Sequence, residues 1–386
     1  MSKLILTLGL LVVSGLAGGQ LQAQPVYYNG SSTLQSLNSV SSVATNGTGN
    51  TALFTASGAV SRCTAVAVDG LSGKLFLLDG PANALWSVNL NGTGLTLVKT
   101  NLTSFPTDLA LDVLNQKIYY TSSSTLQSSN TVQRMDYTGS NNVILLTATG
   151  TPGNGVARCT ALAVDPLNSK IFIADAGAQK IWSLSLTGTG LTALATATNA
   201  YPTGLALDVT NQQVYFTLGS TVQNSNLIQR VNYNGAGLLT RFAAAAGSVQ
   251  RCTALNLDLA HSLISLSDAG AGTLWKIPLG GGSAVSVLSG LPATAKKVRW
   301  YNGPLTRPPP GLNGVSHAGS NVLLNATNGF VGGTYYVLTS TNLALPRNQW
   351  QTLYSTVLGA SGSFALTATN GFDAKNPRQF YLLQVQ

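Results

Sequence analysis

The chain contains no glutamate: its 11 acids are all aspartate, and only 8% of its 386 residues carry charge. The Glu/Asp pair common to glycoside hydrolases is therefore absent. Histidine is scarce too. His261 falls in a predicted turn and His317 in the region of a predicted linker, so no rigid element offers an imidazole to a nucleophile, which removes most Ser/His and Cys/His schemes. Lys and Arg number 20 and exceed the acids by 9, but they form no run. Nucleic acid is thus a poor partner, and a weak preference for anionic ligands is the plain expectation. There are three cysteines, and an odd count in an exported chain leaves at least one thiol unpaired. The only long apolar run is Leu4 to Leu16, behind Lys3 and before small residues ending at Ala23. It reads as a secretory signal peptide over 1–23, too short to span a membrane. The rest of the chain has no such run and is expected to be secreted, at the cell surface or in a bacterial periplasm.

What the chain has in quantity is repetition. Arg-Cys-Thr-Ala begins at Arg62, Arg158 and Arg251, separated by 96 and 93 residues, and Pro-Thr-x-Leu-Ala-Leu-Asp begins at Pro106 and Pro202, again 96 apart. The two kinds alternate, so one unit takes about 48 residues. A period in the forties, made of short apolar runs between turns, marks one propeller blade per repeat. A single four-stranded unit cannot bury both faces, so the units must pack on each other. In the unit at Arg158, strands are predicted over Thr160–Asp165, Lys170–Asp175, Ile181–Leu186 and from Leu191 onward. An Asp ends the first strand at Asp69, Asp112, Asp165, Asp208 and Asp258, where a carboxylate can accept hydrogen bonds from its own turn. Hairpins recur at Gly47, Gly92, Gly139, Gly188, Gly235 and Gly281, where glycine supplies the positive φ of a two-residue loop.

Six hairpins exceed the five complete units by one. Residues 26–56 align with the middle of a unit, Val26-Tyr27-Tyr28-Asn29 matching Ile118-Tyr119-Tyr120-Thr121, and they lack a first strand. Leu291-Pro292 to Trp300 supplies it, aligned with Phe105-Pro106 and Tyr201-Pro202. The expected fold is all-β: a six-bladed β-propeller over 24–302, its sixth blade closed by N- and C-terminal strands that tie residue 30 to residue 298 and leave no open edge.

On these residues the units resemble the YWTD, or LDL-receptor class B, repeat of six-bladed propellers. The tetrapeptide of that repeat corresponds to Phe76-Leu77-Leu78-Asp79, Phe172-Ile173-Ala174-Asp175 and Ser265-Leu266-Ser267-Asp268, and in the other blade type to Tyr119-Tyr120-Thr121-Ser122 and Tyr215-Phe216-Thr217-Leu218. The resemblance covers 25–302 and implies the fold; it carries no receptor ligand with it. Six-bladed propellers that act as lactonases hold a metal with carboxylates that include Glu, which this chain lacks, and neither metal nor cofactor is expected.

After Trp300 the pattern changes. Residues 303–315 read as a Pro/Gly-rich, extended linker. Residues 316–386 read as a small β-sandwich, with strands over Val322–Leu324, Thr334–Ser340, Trp350–Thr356, Ser363–Thr367 and Gln379–Val385, and with Ala-Thr-Asn-Gly-Phe at Ala326 and Ala368 in two turns. This segment resembles a module found at the C-terminus of bacterial secreted proteins. In so small a domain its aromatics are expected to be core.

The candidate site lies where ligands usually meet a propeller, at the mouth of the central channel. Alignment of the blades places Arg62, Phe105, Arg158, Tyr201, Arg251 and Leu291 at one equivalent position, so cations alternate with mostly aromatic side chains around a shallow basic cup. Long polar loops after Asn29, Thr121 and Thr217 are expected to stand around it. Such a cup suits a carboxylate-bearing or polyhydroxylated ligand, a glycan or an extended peptide. A structural duty competes for the arginines: Arg62 with Asp79, Arg158 with Asp175 and Arg251 with Asp268 co-occur and are expected to form ion pairs, worth about 0–1 kcal/mol each where partly exposed. Cys63, Cys159 and Cys252 sit at equivalent positions and are expected to be buried thiols between blades rather than a threefold metal site. Asp108 breaks the repeat where Tyr201's unit has Gly204, and is the one candidate base or metal ligand. The reading is a non-catalytic binding or scaffold propeller; the alternative is a lactonase-like hydrolase or lyase that uses Asp108 in the channel.

Overall fold

The computed structural model of the chain describes residues 25–30, 39–44, 46–55, 59–70, 72–103, 105–123, 130–148, 155–198, 200–220, 222, 225–245, 248–259, 261–291, 295–300, 311–329, 334–342, 344–345, 349–357, 362–372 and 379–385. The expected signal peptide, the linker up to Pro310 and the tips of the three long loops lie outside them. The chain divides into two compact units, one over Leu21–Pro304 and one containing Leu305–Gln386.

The first unit holds six four-stranded antiparallel sheets. Sheet B runs Cys63–Asp69, Lys74–Asp79, Ala84–Asn89, Thr96–Lys99. Sheet C runs Pro106–Asp112, Lys117–Ser122, Thr131–Asp136, Val143–Thr147, and sheet D runs Cys159–Asp165, Lys170–Asp175, Lys180–Ser185, Thr192–Thr196. Sheet E comprises Tyr201–Asp208, Gln213–Gly219, Leu227–Asn232 and Leu239–Ala243; sheet F comprises Cys252–Asp258, Leu263–Asp268, Thr273–Pro278 and Val285–Leu288. Sheet A joins the two ends of the tract: Ala295–Trp300 pairs with Pro25–Gly30, followed by Ser39–Ala44 and Thr51–Thr55. Val298 lies opposite Tyr28 and Ala295 opposite Gly30, so the expected closure forms, with a register different from that drawn by aligning Leu291-Pro292 on Phe105-Pro106. In sheet C the partner of Ser122 is Pro106, so the equivalent of Pro106 is Ala295, three residues later.

Alternation within each strand serves two neighbours at once, because successive side chains point to opposite faces of a sheet. On Lys170–Asp175, Ile171 and Ile173 join Tyr119, Val132 and Leu162 between sheets C and D, whereas Phe172 and Ala174 join Leu205, Val214 and Phe216 between D and E. The same division gives one apolar cluster at every junction, including Val26, Tyr28 and Val43 against Leu274 and Leu291 between A and F. The first strands touch in the order B, C, D, E, F, A and back to B. The sheets thus close into a ring.

The hairpin glycines have positive φ at all six positions. They also lie against the outer strand of the preceding sheet. A Cβ at Gly188 would stand 2.2 Å from the carbonyl oxygen of Leu145, and one at Gly47 2.1 Å from that of Val287, so a side chain there would push neighbouring sheets apart. Each Asp at the end of a first strand caps its turn as expected, Asp165 accepting from the backbone N–H (3.1 Å) and side-chain amide (2.8 Å) of Asn168. His261 occupies this turn position in sheet F and bonds Asp258.

The second unit contains two three-stranded sheets, Gly311–Ala318 with Asn321–Gly329 and Gly362–Ala368, and Gln351–Val357 with Thr334–Ser340 and Phe380–Val385. Two corrections arise. The strand Gly311–Ala318 begins inside the expected linker and carries His317, because it pairs along its length with Asn321–Gly329. The Ala326–Gly329 copy of the repeated pentapeptide lies in a strand, while the second copy turns at Asn370 with φ 53. Tyr335 is fully buried and meets Phe364 edge-on at 4.8 Å, so this aromatic is core as expected.

Candidate binding site at the channel mouth

Each arginine of the first repeat kind sits immediately before a first strand, and a buried carboxylate fixes its backbone. Asp175 accepts from the N–H groups of Ala157 (2.7 Å), Arg158 (2.8 Å), Gly177 (2.9 Å) and Ala178 (2.9 Å), and from Trp182 Nε1 (3.2 Å). Asp268 does the same for Gln250, Arg251, Gly270, Ala271 and Trp275, and Asp79 for Ser61, Arg62 and Ala82. The carbonyl of Arg158 in turn accepts from Ala176 N–H at 3.0 Å, so its main chain is held from both sides. The expected Arg–Asp ion pairs are therefore not formed. Among the described residues the side-chain ion pair is Lys117–Asp136, and His261 Nδ1 shares a hydrogen bond with Asp258. The co-occurrence has another cause: a carboxylate enclosed by backbone donors is satisfied without a cation, and charge-assisted bonds to it are the strong kind. The guanidinium is left for the mouth.

Arg158 and Arg251 are exposed and line one cavity of about 520 Å³ with Phe105 and Tyr201. Tyr201 is 52% exposed. Arg62, half-buried, is turned instead onto the Phe105 ring, with Cζ 5.1 Å from its centroid, a cation–π contact. Four of the six aligned positions thus face one cavity and Arg62 backs it. Leu291 does not reach the mouth. It is buried between sheets F and A, and its N–H bonds the carbonyl of Gly272 as Leu102 bonds that of Asn83, so it closes an outer strand. The three-residue shift in register takes Leu291 off the sixth mouth position.

Asp108 is 1% exposed and does not line the cavity. Its Oδ2 accepts from Leu162 N–H at 3.0 Å, bridging sheets C and D. The same position in the other complete repeats holds Ala65, Ala161, Gly204 and Ala254, and a Cβ at Gly204 would stand 2.7 Å from Ala254 Cα, so adjacent first strands run close there. The lone carboxylate is spent on the backbone of the next sheet. The three cysteines fall in three different apolar clusters, and burial first, then the charge of Asp79, Asp175 or Asp268 across the strand pair, pushes each thiol pKa up.

The floor of the cup is a set of residues the sequence reading passed over. Thr64, Thr107, Thr160, Thr203 and Thr253 follow the Cys or Pro of every complete repeat, and all five line the cavity. Thr64 donates to the Pro106 carbonyl (2.9 Å), Thr160 to Pro202 (2.7 Å), Thr203 to Cys252 (3.1 Å) and, more weakly, Thr107 to Cys159 (3.4 Å). These four hydroxyls latch each sheet to the next, Thr253 bonds the Ser267 carbonyl of its own sheet (3.1 Å), and all keep oxygen lone pairs for acceptance. The signal was present: threonine is the one letter common to Arg-Cys-Thr-Ala and Pro-Thr-x-Leu.

No protein-family model and no curated protein matches the chain. Among solved structures it is similar to a chain of the nidogen/laminin complex, with a TM-score of 0.59 and 14% identity over 71% of this chain and 97% of that one. The fold is a β-propeller. At that identity the likeness speaks to architecture, and the residues of the mouth are this chain's own.

Proposed function

We propose that the protein is a non-catalytic binding or scaffold propeller that takes a glycan or peptide at the channel mouth. The observation that carries this is a cavity flanked by two exposed guanidiniums and an exposed tyrosine, on backbone held by Asp175, by Asp268 and by strand pairing with Gly219. Pockets of this kind, mostly apolar with a few placed polar groups, are ordinary small-ligand sites. The solved neighbour comes from a complex between two proteins, which supports a binding role. The six four-stranded sheets and the repeat spacing support a six-bladed propeller of YWTD type over 24–302, followed by a linker and a small β-sandwich. The leader-like segment over 1–23 supports export to the cell surface or beyond, and among the described residues no helix is long and apolar enough to cross a membrane.

The test is a screen of the purified protein against glycan and peptide arrays, repeated with the Arg158→Ala and Tyr201→Ala double variant. Ligands of the cup lose binding in the variant. If no ligand appears, or those found bind the variant equally well, the mouth is not the site.

A further inference from the structure

Building on the mouth as the binding site, we propose that its ligand is a carboxylated sugar, a uronate or similar acidic unit, with the carboxylate held by Arg158 and Arg251 and the sugar face on Tyr201. Several observations point the same way. Two of the three repeat arginines open into the cavity, and the third is engaged by Phe105, so a pair of cations is presented rather than a ring. The guanidinium fork matches a carboxylate in two parallel hydrogen bonds. The nearby acids, Asp79, Asp108, Asp175 and Asp268, are all buried and bonded to backbone N–H groups, so among the described residues the formal charge on the wall is positive.

The remaining surface fits a sugar better than a peptide. An extended peptide gains affinity chiefly by adding to a free strand edge. Here the first strand of each sheet is its inner edge and runs against the first strand of the next sheet, a Cβ at Gly204 standing 2.7 Å from Ala254 Cα, and threonine hydroxyls occupy carbonyls at the strand starts. What is offered is side chains: an exposed aromatic ring as a platform, cations, and threonine oxygens able to accept from sugar hydroxyls. A cavity of about 520 Å³ has room for one or two sugar rings.

Titration calorimetry of the full chain tests this with oligogalacturonate and oligoglucuronate, their neutral hexose counterparts, a short Asp/Glu-rich peptide and inorganic phosphate. The uronates are expected to bind at least about 10-fold tighter than the neutral sugars, the margin of one charge-assisted contact, and to weaken with salt. Arg158→Ala and Arg251→Ala each lose about 10-fold for the uronate and little for the neutral sugar. Arg158→Lys, which keeps the charge and loses the fork, falls between, and Tyr201→Ala weakens both sugars alike. Lys74→Ala, at the far end of sheet B, changes nothing. Equal binding of neutral and acidic sugars overturns the proposal, and so does tighter binding of the acidic peptide or of phosphate alone. These results leave the mouth as the site if the arginine and tyrosine variants still matter; insensitivity of every ligand to those variants overturns both readings.

Discussion

Sheets B, D and F differ from sheet E in how each holds the turn at the mouth. In B, D and F the second strand ends in a buried carboxylate that draws the entering loop and the following tight turn onto itself. In sheet E the second strand ends without an acid, and a buried amide performs the task. Asn226 Oδ1 accepts from Ser220 and Cys252 N–H (3.1 and 3.0 Å), while its Nδ2 donates to the carbonyls of Ser220 (2.9 Å), Val222 (3.2 Å) and Gln250 (2.9 Å). A carboxylate can only accept, so it gathers N–H groups into a short turn; an amide both accepts and donates, so it stitches a longer loop to the next sheet. The short turns leave Arg158 and Arg251 uncovered, and the longer loop of sheet E brings Ser220 to the same cavity. The mouth's alternation is thus a consequence of two closures, not of ion pairing.

The largest break in this comparison is expected from Asp175→Ala, which leaves several buried N–H groups unpaired and costs about 3–5 kcal/mol in urea unfolding. A loss under about 1 kcal/mol would show that the carboxylate clamp is dispensable. Asn226→Ala should cost less, about 2 kcal/mol, since each bond it loses is neutral. Equal losses for the two would remove the distinction between charged and neutral closure. Within the carboxylate class a finer contrast exists. Trp182 Nε1 and Trp275 Nε1 reach the clamp, whereas Trp86 Nε1 is buried without a partner. Trp182→Phe is therefore expected to cost about 1 kcal/mol more than Trp86→Phe under the same denaturant titration.

The smallest effect appears only in alkali. Each thiol sits across the strand pair from its clamp, as Cys159 does from Asp175, and its pKa is raised in the folded protein above the ordinary value of 9.0, by burial and then by that charge. A raised acid pKa stabilises the fold fully below the unfolded value and less as pH climbs beyond it, since the unfolded thiol ionises first. Each thiol should therefore withdraw about 0.8 kcal/mol by pH 9.5. Unfolding of Cys159→Ala and the parent at pH 7.5 and 9.5 checks this: the gap between them should narrow by that amount. A constant gap would mean the thiol is not held in its neutral form.

Much of this was legible beforehand because a repeat reports the same constraint several times. The hairpin glycines, the turn aspartates and the cation/aromatic alternation were each visible as a recurring letter, and the geometry assigns each a local cause. Misreadings arose where the letter was right and its partner was not in the string. Arg and Asp recur together, yet the bond runs from Asp to the arginine's main chain, which carries no letter. Leu291-Pro292 matched Phe105-Pro106, yet pairing with Pro25–Gly30 sets the register three residues later, because strand register answers to the partner strand and not to a dipeptide. Asp108 stood out as unmatched, and its oddity marks a backbone contact across sheets C and D.

The order of residues alone determined that equal units of short strands recur, that both ends of the tract share one sheet, and that arginine and aromatic side chains come to equivalent places. Repetition forces this, since no unit can bury two faces without copies of itself on either side. Which arginines remain available, and where the cavity opens, depended on the folded ring: Phe105 takes Arg62, Tyr201 stays exposed beside Arg158, and Leu291 retreats into the core. Those outcomes turn on distances between side chains about a full repeat apart in the chain, and such distances exist only once the sheets have packed.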